Sequence, residues 1–83
     1  MHLEILTPEK KIFEGDVTVV TFPGSDGSFQ VMNDHAPLVS LLKDGTVVYK
    51  SKEGTEEVNI TGGVVEVLKN HVIVLADGIN YNS

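Results

Sequence analysis

The sequence predicts an all-β fold, a sandwich or barrel of short strands. Three observations predict it. Apolar and polar residues alternate at period two over most of the 83 residues, in stretches rich in Val, Ile and Thr, which is how half-buried strands are written. Clusters of Gly, Asn and Asp recur at intervals of about ten to fifteen residues, the turn spacing of an antiparallel sandwich or barrel. No amphipathic helical stretch of useful length interrupts the pattern.

The elements follow in order. Leu3, Ile5 and Thr7 alternate with His2, Glu4 and Leu6, and Glu14-Gly15-Asp16 is the first turn candidate. Val17, Val19 and Thr21 alternate with Thr18, Val20 and Phe22, up to a second turn at Ser25-Asp26-Gly27. Gly27 is expected at positive φ, which tight hairpins demand and a β-branched residue resists. Pro37 to Lys43 fits two readings. It can be a helical turn or two opened by Pro37, with Leu38, Leu41 and Leu42 on one face, or it can be a strand. Lys43-Asp44-Gly45 and Lys52-Glu53-Gly54 are further turn candidates.

Val58 and Ile60 then alternate with Glu57 and Asn59. Thr61-Gly62-Gly63 marks a bulge or a sharp bend between sheets. After a turn at Lys69-Asn70, Val72, Val74 and Ala76 alternate with His71, Ile73 and Leu75, and Val74 is expected in the core. Several strands carry apolar residues on both faces, which suits an outer face covered by another element or by a partner. Lys10, Lys11, Lys50, Lys52, Glu53, Glu56 and Glu57 supply the charge that keeps strand edges from pairing with other chains.

Size and charge narrow the function. Residues 1–83 make one domain with a thin core. Twelve acidic residues against six Lys and Arg give a formal net charge of -6. That balance opposes nucleic acid and anionic lipid, which need clustered cations. There is no cysteine, so disulfides, thiolate metal sites and a cysteine nucleophile are excluded together. No signal peptide is visible at Met1-His2-Leu3-Glu4. No apolar run approaches the roughly 20 residues that cross a bilayer as a helix, so direct membrane insertion is not expected.

No catalytic grouping is legible. Gly24-Ser25-Asp26-Gly27-Ser28 lacks the Lys and the helix start of a phosphate loop. His2, His35 and His71 are scattered, and metal sites need several converging ligands. His35 reads as a side chain packed on the Ala36-Pro37 turn and bonded to backbone, a role compatible with an interface. Glu56-Glu57 and Asp26 with Asp34 are the carboxylate pairs, and nothing puts either in the apolar cleft that acid–base chemistry requires. The residues point away from an enzyme, with no catalytic, metal or cofactor site, and toward an interaction module or scaffold.

Three blocks carry a resemblance. Leu3-Glu4-Ile5-Leu6-Thr7-Pro8-Glu9 through Phe13-Glu14-Gly15-Asp16-Val17 is the first. Pro23-Gly24-Ser25-Asp26-Gly27-Ser28-Phe29-Gln30-Val31 with His35-Ala36-Pro37-Leu38 is the second. Gly62-Gly63-Val64-Val65-Glu66-Val67 with Asn70-His71-Val72-Ile73-Val74-Leu75-Ala76-Asp77 is the third. In order and spacing they resemble the N-terminal β-sandwich domain of the epsilon subunit of F-type ATP synthases, called delta in mitochondria.

The resemblance implies a flattened antiparallel β-sandwich of about ten short strands. It implies a non-catalytic rotor subunit in the central stalk, binding the gamma subunit and contacting the c-ring to couple proton or sodium flow to ATP synthesis. It places such a subunit peripherally on the cytoplasmic face of the bacterial inner membrane. It assigns the c-ring-facing turns to Asp26, Gly27, Ser28, Asp34 and His35, although Ser28 stands where many members carry an acid. It implies no cofactor in this domain. The family's C-terminal helical hairpin is absent from residues 1–83, so inhibition by that hairpin is not expected. The alternative is a stand-alone β-sandwich interaction or carbohydrate-binding module, which would want exposed aromatics; the chain has two Tyr and no Trp.

Overall fold

The computed structural model describes residues 1–81. Seven strands follow one another: β1 (His2–Leu6), β2 (Lys11–Asp16), β3 (Val19–Gly24), β4 (Gly27–Met32), β5 (Leu38–Ser51), β6 (Gly54–Leu68) and β7 (His71–Ala76). They form one hydrogen-bonded sheet in the order β2-β1-β7-β6-β5-β3-β4. Alternation explains most of them. Leu3 and Ile5 of β1, Val20 and Phe22 of β3, and Val74 of β7 are fully buried, while their strand neighbours, apart from the buried Pro23, face outward or lie half-buried.

The sheet folds over on itself. β2 and β5 are four strand spacings apart, roughly 19 Å if the sheet were flat. The rings of Phe13 on β2 and Tyr49 on β5 are nevertheless 4.4 Å apart. The fold runs across β5 and β6, which are 14 and 15 residues long. β7 pairs only with the Gly63–Leu68 half of β6, and β3 pairs with β5 from Leu42 to Lys50. One layer therefore holds β2, β1, β7 and one end of the β5–β6 hairpin. The other layer holds β3, β4 and its other end. Leu3, Ile5, Val20, Phe22, Val31, Val47, Val65 and Val74 fill the space between them.

Several expectations are corrected. The strands number seven rather than about ten, because β5 and β6 each pass through both layers. The sheet is not wholly antiparallel, since β1 pairs with β7 in parallel. Lys43-Asp44-Gly45 is no turn. Gly45 sits opposite Ile60 in the β5–β6 ladder. Glu14-Gly15-Asp16 ends β2, with Gly15 opposite Leu3. In both places ladder pairing overrides turn propensity. Of the two readings of Pro37 to Lys43, the structure takes the strand, from Leu38.

The remaining turns stand where they were expected. Gly24 and Gly27 close β3–β4, Ser51 and Gly54 close β5–β6, and Leu68 and His71 close β6–β7. Lys69 and Asn70 both take positive φ, at 49° and 62°, as a two-residue type I′ hairpin requires. Gly27 has φ 130°.

Candidate functional site

The outward face of the first layer carries exposed Val39, Leu41, Leu68 and Leu75. Strand pairing sets Leu6 beside Leu75, Leu75 beside Val64, and Val64 beside Leu41. Four strands thus contribute one apolar row. The next row runs Glu4, Ile73, Glu66, Val39, and a third holds His2, His71 and Leu68. Val39 and Leu41 are 69% and 68% exposed, and Leu75 is 51% exposed. An open groove of roughly 690 Å3, lined among others by Leu6, Pro8, Ser25, Leu41, Val64 and Leu75, runs along the first row. Singly exposed apolar residues need no explanation, but a contiguous patch marks an interaction site.

The predicted turn residues separate into two places. Asp26 lies in the β3–β4 turn, and Gly27 and Ser28 open β4. All three are exposed. Among the described residues, no hydrogen bond or ion pair engages the Asp26 or Ser28 side chain. Asp34 and His35 follow the other end of β4, a strand of six residues, so the two turns stand on the order of 17 Å or more apart. Asp34 takes φ 64°. Its amide donates to Asn70 Oδ1 at 2.7 Å, and Asn70 Nδ2 donates back to Asp34 Oδ1 at 3.2 Å. The terminal ammonium of Met1 donates to Asn33 Oδ1 at 2.9 Å. His35 Nδ1 lies 2.7 Å from the Ala36 carbonyl oxygen, which makes Nδ1 the protonated nitrogen. This second turn is tied to the domain, and its side chains are engaged.

A charged cluster went unread in the sequence. His2 Nε2 lies 2.8 Å from Glu14 Oε2, and His2 Nδ1 lies 3.6 Å from Asp16 Oδ1. Lys11 bonds Glu14 and lies 3.8 Å from Glu4. The ligand atoms of His2, Glu4 and Glu14 fall within 4.8 Å of one another, a grouping that could hold a cation. The Lys11 ammonium already stands among these carboxylates, so the cluster reads as an ion-pair network on the β1–β2 edge. The register of β1 on β2 makes it, across 12 residues of sequence. Nothing in residue spacing announces it.

The cluster shifts its own ionisation. The hydrogen bond to Glu14 holds His2 above its usual 6.5. Hydrogen bonds from Lys11 and then His2 hold Glu14 below its usual 4.5. The His2 contribution to stability is therefore complete below 6.5 and lost as pH rises through its raised value. The Glu14 contribution is present above 4.5 and lost as pH falls through its lowered value. Both act together between those limits. Glu14→Gln should bring the His2 titration midpoint, followed by proton NMR, back down toward 6.5. An unmoved midpoint would show that Glu14 is not the cause.

The aromatic rings are mostly paired inside. Phe13 meets Tyr49 with the ring planes tilted by 37°, and Phe22 and Phe29 have ring centroids 5.4 Å apart. Of the described Phe and Tyr side chains only Tyr81 is left largely exposed, at 76%, whereas a carbohydrate-binding module would want several on one face.

Comparison with known proteins agrees with this geometry. The family model described as ATP synthase, Delta/Epsilon chain, beta-sandwich domain, matches residues 1–81. The ATP synthase epsilon chain of Campylobacter fetus subsp. fetus (strain 82-40) is 50% identical over 82 residues, covering 98% of this chain and 64% of that protein. The epsilon chain of Chlorobium limicola is 43% identical over 79 residues, covering 94% of this chain and 90% of that protein. The chain thus spans just under two thirds of the Campylobacter relative, but most of the Chlorobium one. Two solved assemblies share the fold at low identity. A chain of the Tetrahymena thermophila mitochondrial ATP synthase central stalk and c-ring superposes with a TM-score of 0.80 at 19% identity, over 95% of this chain and 64% of that one. A chain of the Euglena gracilis mitochondrial ATP synthase gives 0.86 at 20% identity, over 94% of this chain and 51% of that one. The chain therefore belongs to the delta/epsilon-chain β-sandwich family of ATP synthases.

Proposed function

We propose that the chain is a non-catalytic central-stalk subunit of a proton- or sodium-translocating F-type ATP synthase. It binds the gamma subunit through the outward face of the first layer and meets the c-ring through the β3–β4 turn. The observation that carries this reading is the four-strand apolar row Leu6, Leu75, Val64, Leu41. A rotor connector has to transmit torque without slipping. A stiff double-layered sheet with a desolvated apolar contact meets that demand, because buried apolar anchors hold most of an interface's affinity. The subunit lies peripherally on the cytoplasmic face of the bacterial inner membrane, attached through its partners. Among the described residues no helix is long and apolar enough to cross a membrane.

The c-ring contact is assigned to Asp26, Gly27 and Ser28, whose exposed turn leaves polar groups free for a polar partner. Asp34 and His35, at the far end of β4 and already bonded within the domain, are not part of it. Cysteines placed one at a time at Ser28 and His35 of the assembled enzyme test the assignment. Cross-linking to the c-ring is expected from position 28 and not from 35, and the reverse pattern would sink it.

Light scattering after size-exclusion chromatography tests the gamma contact. A stable one-to-one complex with the gamma subunit of the same organism is expected. Leu41→Asp should weaken it about 30-fold or more, as expected for a hot-spot anchor, and should leave the melting temperature within a few degrees, because Leu41 is 68% exposed. A mutant that binds like wild type would move the interface elsewhere.

A further inference from the structure

One carboxylate stands in the middle of the apolar face. Glu66 sits on β6 between Val64 and Leu68, with Val39 beside it on β5 and Ile73 beside it on β7. All four neighbours are apolar, and Glu66 itself is exposed. Among the described residues Glu66 makes no hydrogen bond or ion pair. Glu4, in the same row, differs, because Lys11 lies 3.8 Å from it. Glu66 is thus the one acid inside the patch without a cation of its own.

That placement constrains any partner. Water solvates the Glu66 carboxylate in the free domain. A partner that covered Val39, Val64, Leu68 and Ile73 would remove this water. An unpaired carboxylate in such a setting costs more than the apolar contact around it returns. We infer that the surface docking here is apolar with a single Lys or Arg at its centre, and that this cation pairs with Glu66 in the complex. Glu66 then acts as the register pin of the interface. The apolar rows tolerate sliding by a residue or two, whereas a desolvated ion pair forms in one alignment only. Arg fits best, because its planar fork meets a carboxylate with two hydrogen bonds and is weakly hydrated. The inference rests on the docking reading above and adds the chemistry of the partner surface.

The test is the dissociation constant of the complex with the purified gamma subunit, measured by calorimetry for wild type and for Glu66→Gln, Glu66→Lys, Glu57→Lys and Leu41→Asp. Circular dichroism confirms that each is folded, which the exposure of these positions favours. Glu66→Gln removes the charge and keeps the shape. Loss of one member of a buried charged pair predicts weakening of about 30-fold or more. Glu66→Lys should weaken binding further, since it sets two cations together. Glu57→Lys, on the other half of β6, is the control and should stay within about twofold of wild type. If Leu41→Asp abolishes binding while Glu66→Gln leaves it unchanged or tighter, the face docks but no cation meets Glu66, and the inference fails alone. If the wild-type domain does not bind gamma at micromolar concentrations, or Leu41→Asp and Glu66→Lys both bind normally, the docking reading itself fails and the inference falls with it. A single Lys→Glu or Arg→Glu change on gamma that restores binding to Glu66→Lys would identify the partner residue.

Discussion

Val74→Asp is expected to leave the chain without a cooperative thermal transition at pH 7. Val74 is fully buried. It lies on β7, opposite Ile5 of β1 on one side and Val65 of β6 on the other, and both of those are also fully buried. There are no buried polar or charged residues among those described, so no group is at hand to pair with a new carboxylate. Its burial costs several kcal/mol, through ionisation without a partner or through protonation at the expense of a shifted pKa. A domain of this size holds only about 4–12 kcal/mol of stability in all. Circular dichroism during heating checks the result. A sharp transition within a few degrees of wild type would mean that the inward face of β7 is misassigned. Partial recovery of structure near pH 4, where the new carboxyl is neutral, would support the stated cause.

Gly63→Ala is expected to destabilise the domain nearly as much, from a single methyl group. Gly63 has φ 146°. A Cβ there would lie 2.3 Å from the Leu75 carbonyl oxygen and 2.8 Å from Ala76 Cα. Both obstacles are backbone, fixed by the pairing of Gly63 with Ala76 and Val64 with Leu75. They cannot turn aside as a side chain would, so β6 and β7 must separate at the bend between the layers. Gly27 provides the comparison. Its φ of 130° is similarly unfavourable, yet a Cβ there meets nothing within 4 Å. Gly27→Ala carries only conformational strain, about 1–2 kcal/mol, or roughly 4–16 °C in melting temperature. Gly63→Ala should exceed it clearly. Equal shifts for the two variants would show that contact with β7 contributes nothing.

Some elements were plain in the sequence because their cause is local. Leu3 and Ile5, or Val72 and Val74, declare an inward face by alternation alone. Lys69-Asn70 and Ser25-Asp26-Gly27 declare turns because few residues accept positive φ. Thr61-Gly62-Gly63 was legible as a bend for the same reason, and Gly62 and Gly63 do have φ of 100° and 146°. Where local preference competed with pairing, the reading failed. Gly45 and Gly15 look like turn residues and sit in ladders, opposite Ile60 and Leu3, where the partner strand satisfies their backbone groups.

The candidate site was less legible than the fold. The resemblance assigned Asp26, Gly27, Ser28, Asp34 and His35 to two turns, and the six-residue β4 sets those turns at its opposite ends. The cluster of His2, Glu14 and Lys11 was not foreseen, since it depends on which residue of β2 faces which residue of β1.

The class of fold, the inward faces, most of the turns and, through three motif blocks, the family were legible in the order of residues. Those properties come from dihedral preference and from period-two burial, which act over a few residues. Only long-range pairing sets β1 parallel to β7, carries β5 and β6 through both layers, and lines up Leu6, Leu75, Val64 and Leu41 in one row beside the row that holds Glu66. Those four apolar residues come from strands spread across nearly the whole chain. A one-residue slip of any strand would turn its side chains to the opposite face, so this apolar face exists only once register is fixed by the packed core.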